Sequence, residues 1–213
     1  MSVRRALADS AERYFRRRYL IYLLVAVIFA AGSVFGALAA SSLAPGKEAE
    51  VAAEVRGFVA DVRAGTLRSG VEVVLQSLQR DALQTAGVCW LLGLSLVGVP
   101  LVLVLVFYRG FLLGFTVAAL VKELALGGVL ASLVAVLPAN LLMVPAIVVA
   151  GVSAISFGVS LVRSHPGGRP WFLRGLAGYT GLFLLVILAM AGAALIEGFV
   201  TPVLLEWTLK YFV

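Results

Sequence analysis

The stretch that decides the fold is residues 20–40, LIYLLVAVIFAAGSVFGALAA, an uninterrupted apolar run without a charge. About 20 helical residues cross a hydrocarbon core about 30 Å thick, so the run predicts a transmembrane helix. Six arginines lie before it, and a basic head followed by an apolar run is also typical of a signal peptide. Because the run exceeds a usual signal-peptide core of about 7–15 residues, we interpret it as an uncleaved signal-anchor helix.

The rest of the chain repeats this character. Of its 213 residues, 62% are hydrophobic and only 13% charged, whereas a soluble domain is about half apolar and a quarter charged. The apolar residues are gathered into runs, which predict an all-α polytopic membrane bundle of about five spans. We expect one membrane domain, 1–213, with membrane segments at 20–40, 83–108, 110–137, 141–162 and 175–200.

Two of these segments contain breaks. Gly98 and Pro100 interrupt 83–108 in mid-membrane, and Arg109 follows it. Segment 110–137 consists of two short apolar pieces separated by Lys122 and Glu123. Each piece is too short to span the membrane alone, so a broken or re-entrant segment is expected. The alternatives are one broken crossing, a re-entrant hairpin, or a six-span arrangement.

Residues 41–82 are the one long polar stretch. Apolar side chains at helical spacing within 47–64, opposite a charged face, predict an amphipathic helix, and 71–80 repeats the pattern more weakly. We therefore expect a small helical hairpin whose apolar face contacts the bilayer, the bundle or a partner. The positions that carry this interpretation are Val51, Val55, Phe58 and Val62.

The distribution of charge predicts orientation. Arginines are concentrated before the first span and in 163–174, which places both regions in the cytoplasm. The 41–82 hairpin carries five basic and six acidic residues, which suits the extracytoplasmic side. Five spans then put the C-terminus outside.

Catalytic and ligand-binding motifs are missing from the sequence. It has one cysteine, one histidine and no HExxH, phosphate loop or Ser-His-Asp arrangement. We expect no enzymatic activity, no cofactor and no metal site. The net charge of +6 is explained by membrane orientation, so no nucleic-acid partner is expected, whereas membrane lipids are.

The small and polar positions in the spans are the candidate structural or partner sites. Small-xxx-small pairs such as Gly110 and Gly114 favour close helix packing, with a homo-oligomer as the alternative. Intramembrane charge indicates function by default, so the pair at 122–123 predicts either a conduction path or an interfacial turn. The remaining candidates are prolines, an amide suited to satisfying backbone groups that the prolines free, and a carboxylate suited to a hydrogen bond or a partner: Pro138, Asn140, Pro145, Glu197 and Pro202.

Four stretches, in order, resemble the stage II sporulation protein M family: SVFGALAASSL from residue 33, the block 89–121, LPANLLMVPAIVVAG from residue 137, and LIEGFVTP from residue 195. Relatives often carry His or Glu near the Asn-Pro segment, where this chain has apolar residues such as Met143.

The resemblance implies a cell-membrane protein of the sporulation septum that is needed for forespore engulfment. In such a role it is a scaffold that anchors the peptidoglycan hydrolases, stage II sporulation proteins D and P, and is not itself a hydrolase. The rival hypothesis is a channel or transporter-like component whose path is lined by 110–137. Convergence of Lys122, Glu123, Asn140 and Glu197 on one cavity would favour that rival.

Overall fold

The computed structural model describes residues 3–64, 70–162 and 168–212, and the regular elements of these residues are all helical. The predicted all-α polytopic bundle is confirmed. The elements are α1 (Val3–Ser41), α2 (Pro45–Ala64), α3 (Gly70–Ser77), a π-helix (Leu78–Gly87), α4 (Val88–Gly93), α5 (Gly98–Val162), α6 (Gly168–Leu195), a second π-helix (Ile196–Val200) and α7 (Thr201–Phe212).

Four stretches of the described residues are long and apolar enough to cross a membrane, against about five expected. They are Tyr19–Ser41, Gly98–Glu123, Val136–Leu161 and Phe172–Leu205. The first and last correspond to the predicted segments 20–40 and 175–200. The third corresponds to 141–162, with one additional helical turn at its start.

Helix α5 contains two antiparallel arms, a first arm (98–123) and a second arm (136–162). Gly151 lies beside Val102 and Val106, and Gly158 lies beside Val99, so residue numbers rise in one arm as they fall in the other. The chain therefore reverses between the arms. Segment 110–137 is accordingly not one broken crossing, because its first piece completes the span that begins at Gly98 and its second piece leads into the next.

Segment 83–108 is not a single span. Helix α4 ends at Gly93, residues 94–97 form a turn, and α5 begins at Gly98. A Cβ at Gly98 would overlap the carbonyl oxygen of Leu92, and one at Gly93 would lie 2.8 Å from Ala154 Cα. The break expected at Gly98 and Pro100 is therefore present, but it reverses the chain and makes 83–108 part of a helical hairpin.

The polar stretch 41–82 is also divided differently from the predicted hairpin. Within this stretch, only α2 stands apart from the bundle. Residues 70–93, comprising α3, the first π-helix and α4, run antiparallel to α6, with Gly70 beside Gly198 and Tyr179 bonded to the carbonyl of Trp90. The second half of the expected hairpin is therefore part of a helical segment that packs within the bundle. We call residues 70–93 the 70–93 rod; its contacts with α6 cannot be read from the spacing of its apolar residues.

Helix α1 and the first arm of α5 pack in parallel. Gly32 lies against the backbone of Phe107 and Gly36 against that of Phe111, so numbers rise together along both helices. Two parallel neighbours require a return path between them, and residues 70–93 supply it. The core shared by these rods is apolar; its deeply buried members include Val25, Val102, Val106, Phe183 and Met190.

Candidate functional site: an ion-pair cluster inside the bundle

The most polar part of the bundle interior is centred on Asp81 and Arg109. Asp81 lies on the first π-helix and is 1% exposed. Arg109 Nη1 lies 2.7 Å from Asp81 Oδ1. Arg109 Nη2 donates to the carbonyl oxygen of Arg80 at 2.6 Å and to Thr85 Oγ1. One guanidinium thus binds three acceptors on the 70–93 rod and ties that rod to the first arm of α5.

A second set of contacts extends the cluster to the end of α6. Arg80 Nη2 lies 3.4 Å from Asp81 Oδ2 and 3.4 Å from Glu197 Oε1. Ser77 Oγ donates to Glu197 Oε2 at 2.7 Å. Two cations and two carboxylates therefore alternate, and their formal charges cancel. We refer to Ser77, Arg80, Asp81, Thr85, Arg109 and Glu197 as the clasp.

Both π-helices lie at the clasp. Thr85 Oγ1 donates to the carbonyl of Arg80, five residues earlier, at 3.3 Å, and Thr201 Oγ1 donates to that of Ile196 at the same distance. π-Helical turns are rare and frequently mark functional sites. Here the wider turn presents the Arg80 carbonyl to two donors, Thr85 and Arg109, so the backbone itself contributes to binding the guanidinium.

The depth of Arg109 explains why this pairing is needed. It is near the middle of the span Gly98–Glu123, roughly 16 Å along the helix from Gly98 at 1.5 Å per residue. An arginine at the centre of a membrane helix costs about 2.5–3.5 kcal/mol on insertion scales. Ion pairing and hydrogen bonds offset that cost. Each carboxylate of the clasp contacts a cation or hydroxyl donor, so the arrangement suits helix attachment more than acid–base catalysis.

Of the sequence-predicted polar positions, only Glu197 belongs to the clasp. It accepts the expected hydrogen bond from a neighbouring helix. Asn140 is elsewhere, donating from Nδ2 to the carbonyl of Val136 at 2.7 Å. That carbonyl is not one of those that Pro138 or Pro145 deprives of an amide partner, since those belong to residues 134 and 141. Both prolines lie inside the helical backbone of the second arm of α5.

Lys122 and Glu123 hold α2 to the end of the first arm. Lys122 Nζ lies 2.9 Å from Glu48 Oε1, and Glu123 Oε2 lies 3.6 Å from Arg56 Nε. These pairs are far from the clasp along α5, about 20 Å for 13–14 residues. The candidate charges therefore do not meet at one point, and the pair at 122–123 forms a junction with α2.

The four apolar residues singled out on α2 differ in burial. Val62 is buried, and Val51 and Val55 are half-buried, whereas Phe58 is 40% exposed. Phe58 shares the outer side of the helix with two exposed glutamates spaced four residues apart, Glu50 and Glu54. We call Glu50, Glu54 and Phe58 the outer stripe of α2.

The small-residue candidates lie at contacts within the chain. A Cβ at Gly110 would overlap the carbonyl oxygen of Phe29, and one at Gly114 that of Ser33. With Gly32 and Gly36 they form a glycine seam between α1 and α5. Because this seam is occupied inside the chain, a homo-oligomer would need a different surface. Pro202 is the second residue of α7 and lies in helical backbone that continues from the second π-helix.

Sequence reasoning missed five of the six clasp residues. By sequence, Arg109 ends a span, Ser77, Arg80 and Asp81 belong to the external stretch 41–82, and Thr85 lies at the start of the membrane segment 83–108. One available signal is that residues 82–108 carry no charge and are bracketed by Asp81 and Arg109, which have opposite charges. An uncharged stretch containing a Gly-Pro break could close into a hairpin on that pair.

Apolar helices joined by a buried ion-pair cluster define a polytopic α-helical membrane protein. Among the described residues, no group of three or more His, Cys, Asp or Glu side chains could hold a metal ion. The family model described as stage II sporulation protein M matches residues 25–202, and the chain belongs to that family. The match includes α2 and the whole clasp and identifies a membrane protein of sporulation. No curated protein and no solved structure matches the chain.

Proposed function

We propose that this protein is a non-catalytic scaffold at the sporulation septum, which anchors the peptidoglycan hydrolases, stage II sporulation proteins D and P, for forespore engulfment. The family supplies the sporulation context. The observation that carries the proposal is the position of α2, a largely exposed charged helix fixed to the bundle by two ion pairs. Such a helix offers a partner surface without requiring the bundle to open.

Membrane orientation supports the same surface. The arginine-rich N-terminus is expected in the cytoplasm, and α2 follows the first span directly. It would therefore lie on the extracytoplasmic side, where peptidoglycan is cut. The C-terminal end of the bundle would lie on that side too, because α6 runs parallel to the first arm of α5.

The dispersed polar residues favour a scaffold over the transport alternative. Lys122 and Glu123 pair with α2, Asn140 bonds its own helix, and Glu197 belongs to the clasp. A conduction path would require such groups to line a continuous route. Their partners instead lie in three separate places, and the clasp has no net formal charge.

Co-purification of the full-length protein with the two hydrolases tests the proposal. In the variant Glu50→Lys/Glu54→Lys/Phe58→Ala, the outer stripe loses its acidic and aromatic groups while the inward face of α2 is retained. We expect recovery of the hydrolases to fall at least severalfold, with unchanged yield of the membrane protein. Glu72→Lys is the matched control, since Glu72 is an exposed carboxylate on the neighbouring α3.

The two parts of the proposal fail separately. If the wild-type protein recovers neither hydrolase from detergent extracts of sporulating cells, the scaffold role is wrong. If the wild type recovers them and the outer-stripe variant does so equally well, the scaffold role stands and α2 is not its docking surface. Equal loss with Glu72→Lys would point to a general charge effect.

A further inference from the structure

We propose that residues 82–108 form a membrane-inserted hairpin whose tip, residues 94–97, is surrounded by lipid acyl chains and does not emerge into water. The proposal concerns a surface that the scaffold function does not use. Its occupant is lipid, and it rests on four observations: the composition of the tip, its backbone hydrogen bonds, its level relative to the neighbouring spans, and the closure of its base.

The tip has the composition of a lipid-facing surface. Leu96 and Val97 are 47% and 74% exposed, and nearby Leu91 is 60% exposed. Residues 82–108 contain no charge, whereas the sequence from 163 to 174 contains three arginines. A chain reversal that reaches water normally carries polar residues.

Five of the six backbone amides from residue 94 to residue 99 donate within the turn. An irregular backbone is tolerated at membrane depth only where its polar groups find partners. The amides of residues 94, 95, 98 and 99 donate to the carbonyls of residues 91, 92, 95 and 96 at 3.1–3.2 Å. The amide of Val97 donates to Ser95 Oγ at 3.3 Å, so the one polar side chain of the tip is used within the turn.

The neighbouring spans extend past the tip. Gly158 lies next to the carbonyl of Ser95, yet the apolar second arm continues to Leu161. On the other side Gly32 is level with Phe107. From that level the apolar part of α1 extends about 19 Å to Tyr19, whereas the first arm extends only about 14 Å to Gly98. The tip thus stops about a helical turn short of the bundle end.

The base of the hairpin is closed by the clasp. Asp81 and Arg109 immediately flank the uncharged stretch, and their side chains lie 2.7 Å apart. This pair holds the two sides of the hairpin, 81–93 and 98–109, at one depth. The side from Arg109 to Gly98 is roughly 16 Å long. Half the hydrocarbon thickness is about 15 Å, so a base near mid-membrane brings the tip to the edge of the acyl-chain region, at a level where the neighbouring spans still have about one apolar turn to run.

Nitroxide accessibility tests the proposal in the intact protein. Single cysteines are introduced at Val97 and, independently, Leu96, in a Cys89→Ser background, and the labelled protein is placed in nanodiscs of phosphatidylglycerol and phosphatidylethanolamine. Leu185→Cys, at an exposed position within the last apolar span, is the lipid reference. Gly46→Cys, at an exposed position with open space around it, is the water reference.

We expect labels at positions 96 and 97 to collide with oxygen more often than the label at 46, and less often than the label at 185, which lies nearer the bilayer centre. Collision with a water-soluble nickel chelate should be severalfold rarer than at position 46. Nickel collisions equal to those at position 46 would place the tip in water and overturn the proposal. Low collision with both reagents at both positions would mean that protein, such as a second copy of the chain, covers the tip, and would overturn it equally.

Discussion

The glycine seam and the clasp join helices to the same arm of α5 by opposite means. In the glycine seam, Gly32, Gly36, Gly110 and Gly114 let α1 and α5 approach until backbone meets backbone. In the clasp, the guanidinium of Arg109, which is 12% exposed, reaches across to a carboxylate, a carbonyl and a hydroxyl on the 70–93 rod. Since lipid tails are as apolar as leucine, apolar side chains alone give little drive for helices to associate.

The comparison separates two kinds of sensitivity. A backbone contact depends on shape, so an added side chain disrupts it whatever its polarity. A charge contact depends on its partner, so loss of one member leaves an unpaired ion in low dielectric. The following predictions probe that separation, beginning with the largest expected effect.

Leucine at Gly114 should abolish the glycine seam. Even a Cβ at this position overlaps the carbonyl oxygen of Ser33, and neither backbone can move without unpacking its helix. We expect little or no monodisperse protein after detergent extraction, corresponding to a loss above about 4 kcal/mol, the range of severe single changes. Gly181→Leu is the control, because nothing lies within 4 Å of a Cβ there. Equal yields of the two variants would contradict the seam.

Removing one member of the central ion pair should cost less but still be severe. Asp81→Leu leaves Arg109 without its carboxylate, and Arg109→Met leaves Asp81 with only the more distant Arg80. We expect each to destabilise the fold by about 3–5 kcal/mol, the range for a broken buried pair. Thermal or denaturant unfolding in detergent micelles measures this loss.

The double variant Asp81→Leu/Arg109→Met sharpens the same test. With neither charge left unpaired, it should be more stable than the sum of the single losses predicts, by at least about 1 kcal/mol of coupling. Losses that simply add would mean that the two residues act independently, and the clasp would then be a contact without energetic coupling.

Sequence reasoning was sufficient where one residue type determines the outcome. The apolar run 20–40 predicted a span that the structure contains. Gly110 and Gly114 indicated a close helix contact because a missing Cβ has few other uses in an apolar run. The exposed charges of α2 indicated an amphipathic helix in the same way. In each case the local pattern carries the information.

The second crossing was misassigned because its stability is not local. Residues 70–81 are polar enough to be interpreted as an external loop. Two of them, Ser77 and Asp81, are buried, and their partners Glu197 and Arg109 lie 116 and 28 residues beyond Asp81 in the sequence. Hydropathy scores each residue against lipid or water and does not anticipate a partner charge inside the bundle. The same omission made Arg109 look like the end of a helix, although it lies inside one.

Glu197→Gln tests the edge of the clasp, where the expected effect is smaller. The amide can still accept the hydrogen bond from Ser77, and the lost contact with Arg80 is 3.4 Å long and partly exposed. We expect a loss of about 1 kcal/mol or less. Glu197→Leu, which removes both contacts, should cost more. Equal losses in unfolding measurements would show that the Ser77 hydrogen bond contributes nothing.

The smallest effect is expected at the junction of α2 with the bundle, and ionic strength separates it from the clasp. Lys122 and Glu48 are 36% and 43% exposed, so reversing either charge should cost about 0.5–1 kcal/mol at low salt. The exchange Glu48→Lys/Lys122→Glu should restore most of that stability.

The same comparison in 1 M salt separates the junction from the clasp. The Debye length is then about 3 Å, so the loss in the single junction variants should vanish. The loss in Asp81→Leu should persist, because bulk ions do not reach a buried pair. If both losses respond alike to salt, the clasp is reached by solvent and the distinction between the two charge contacts is wrong.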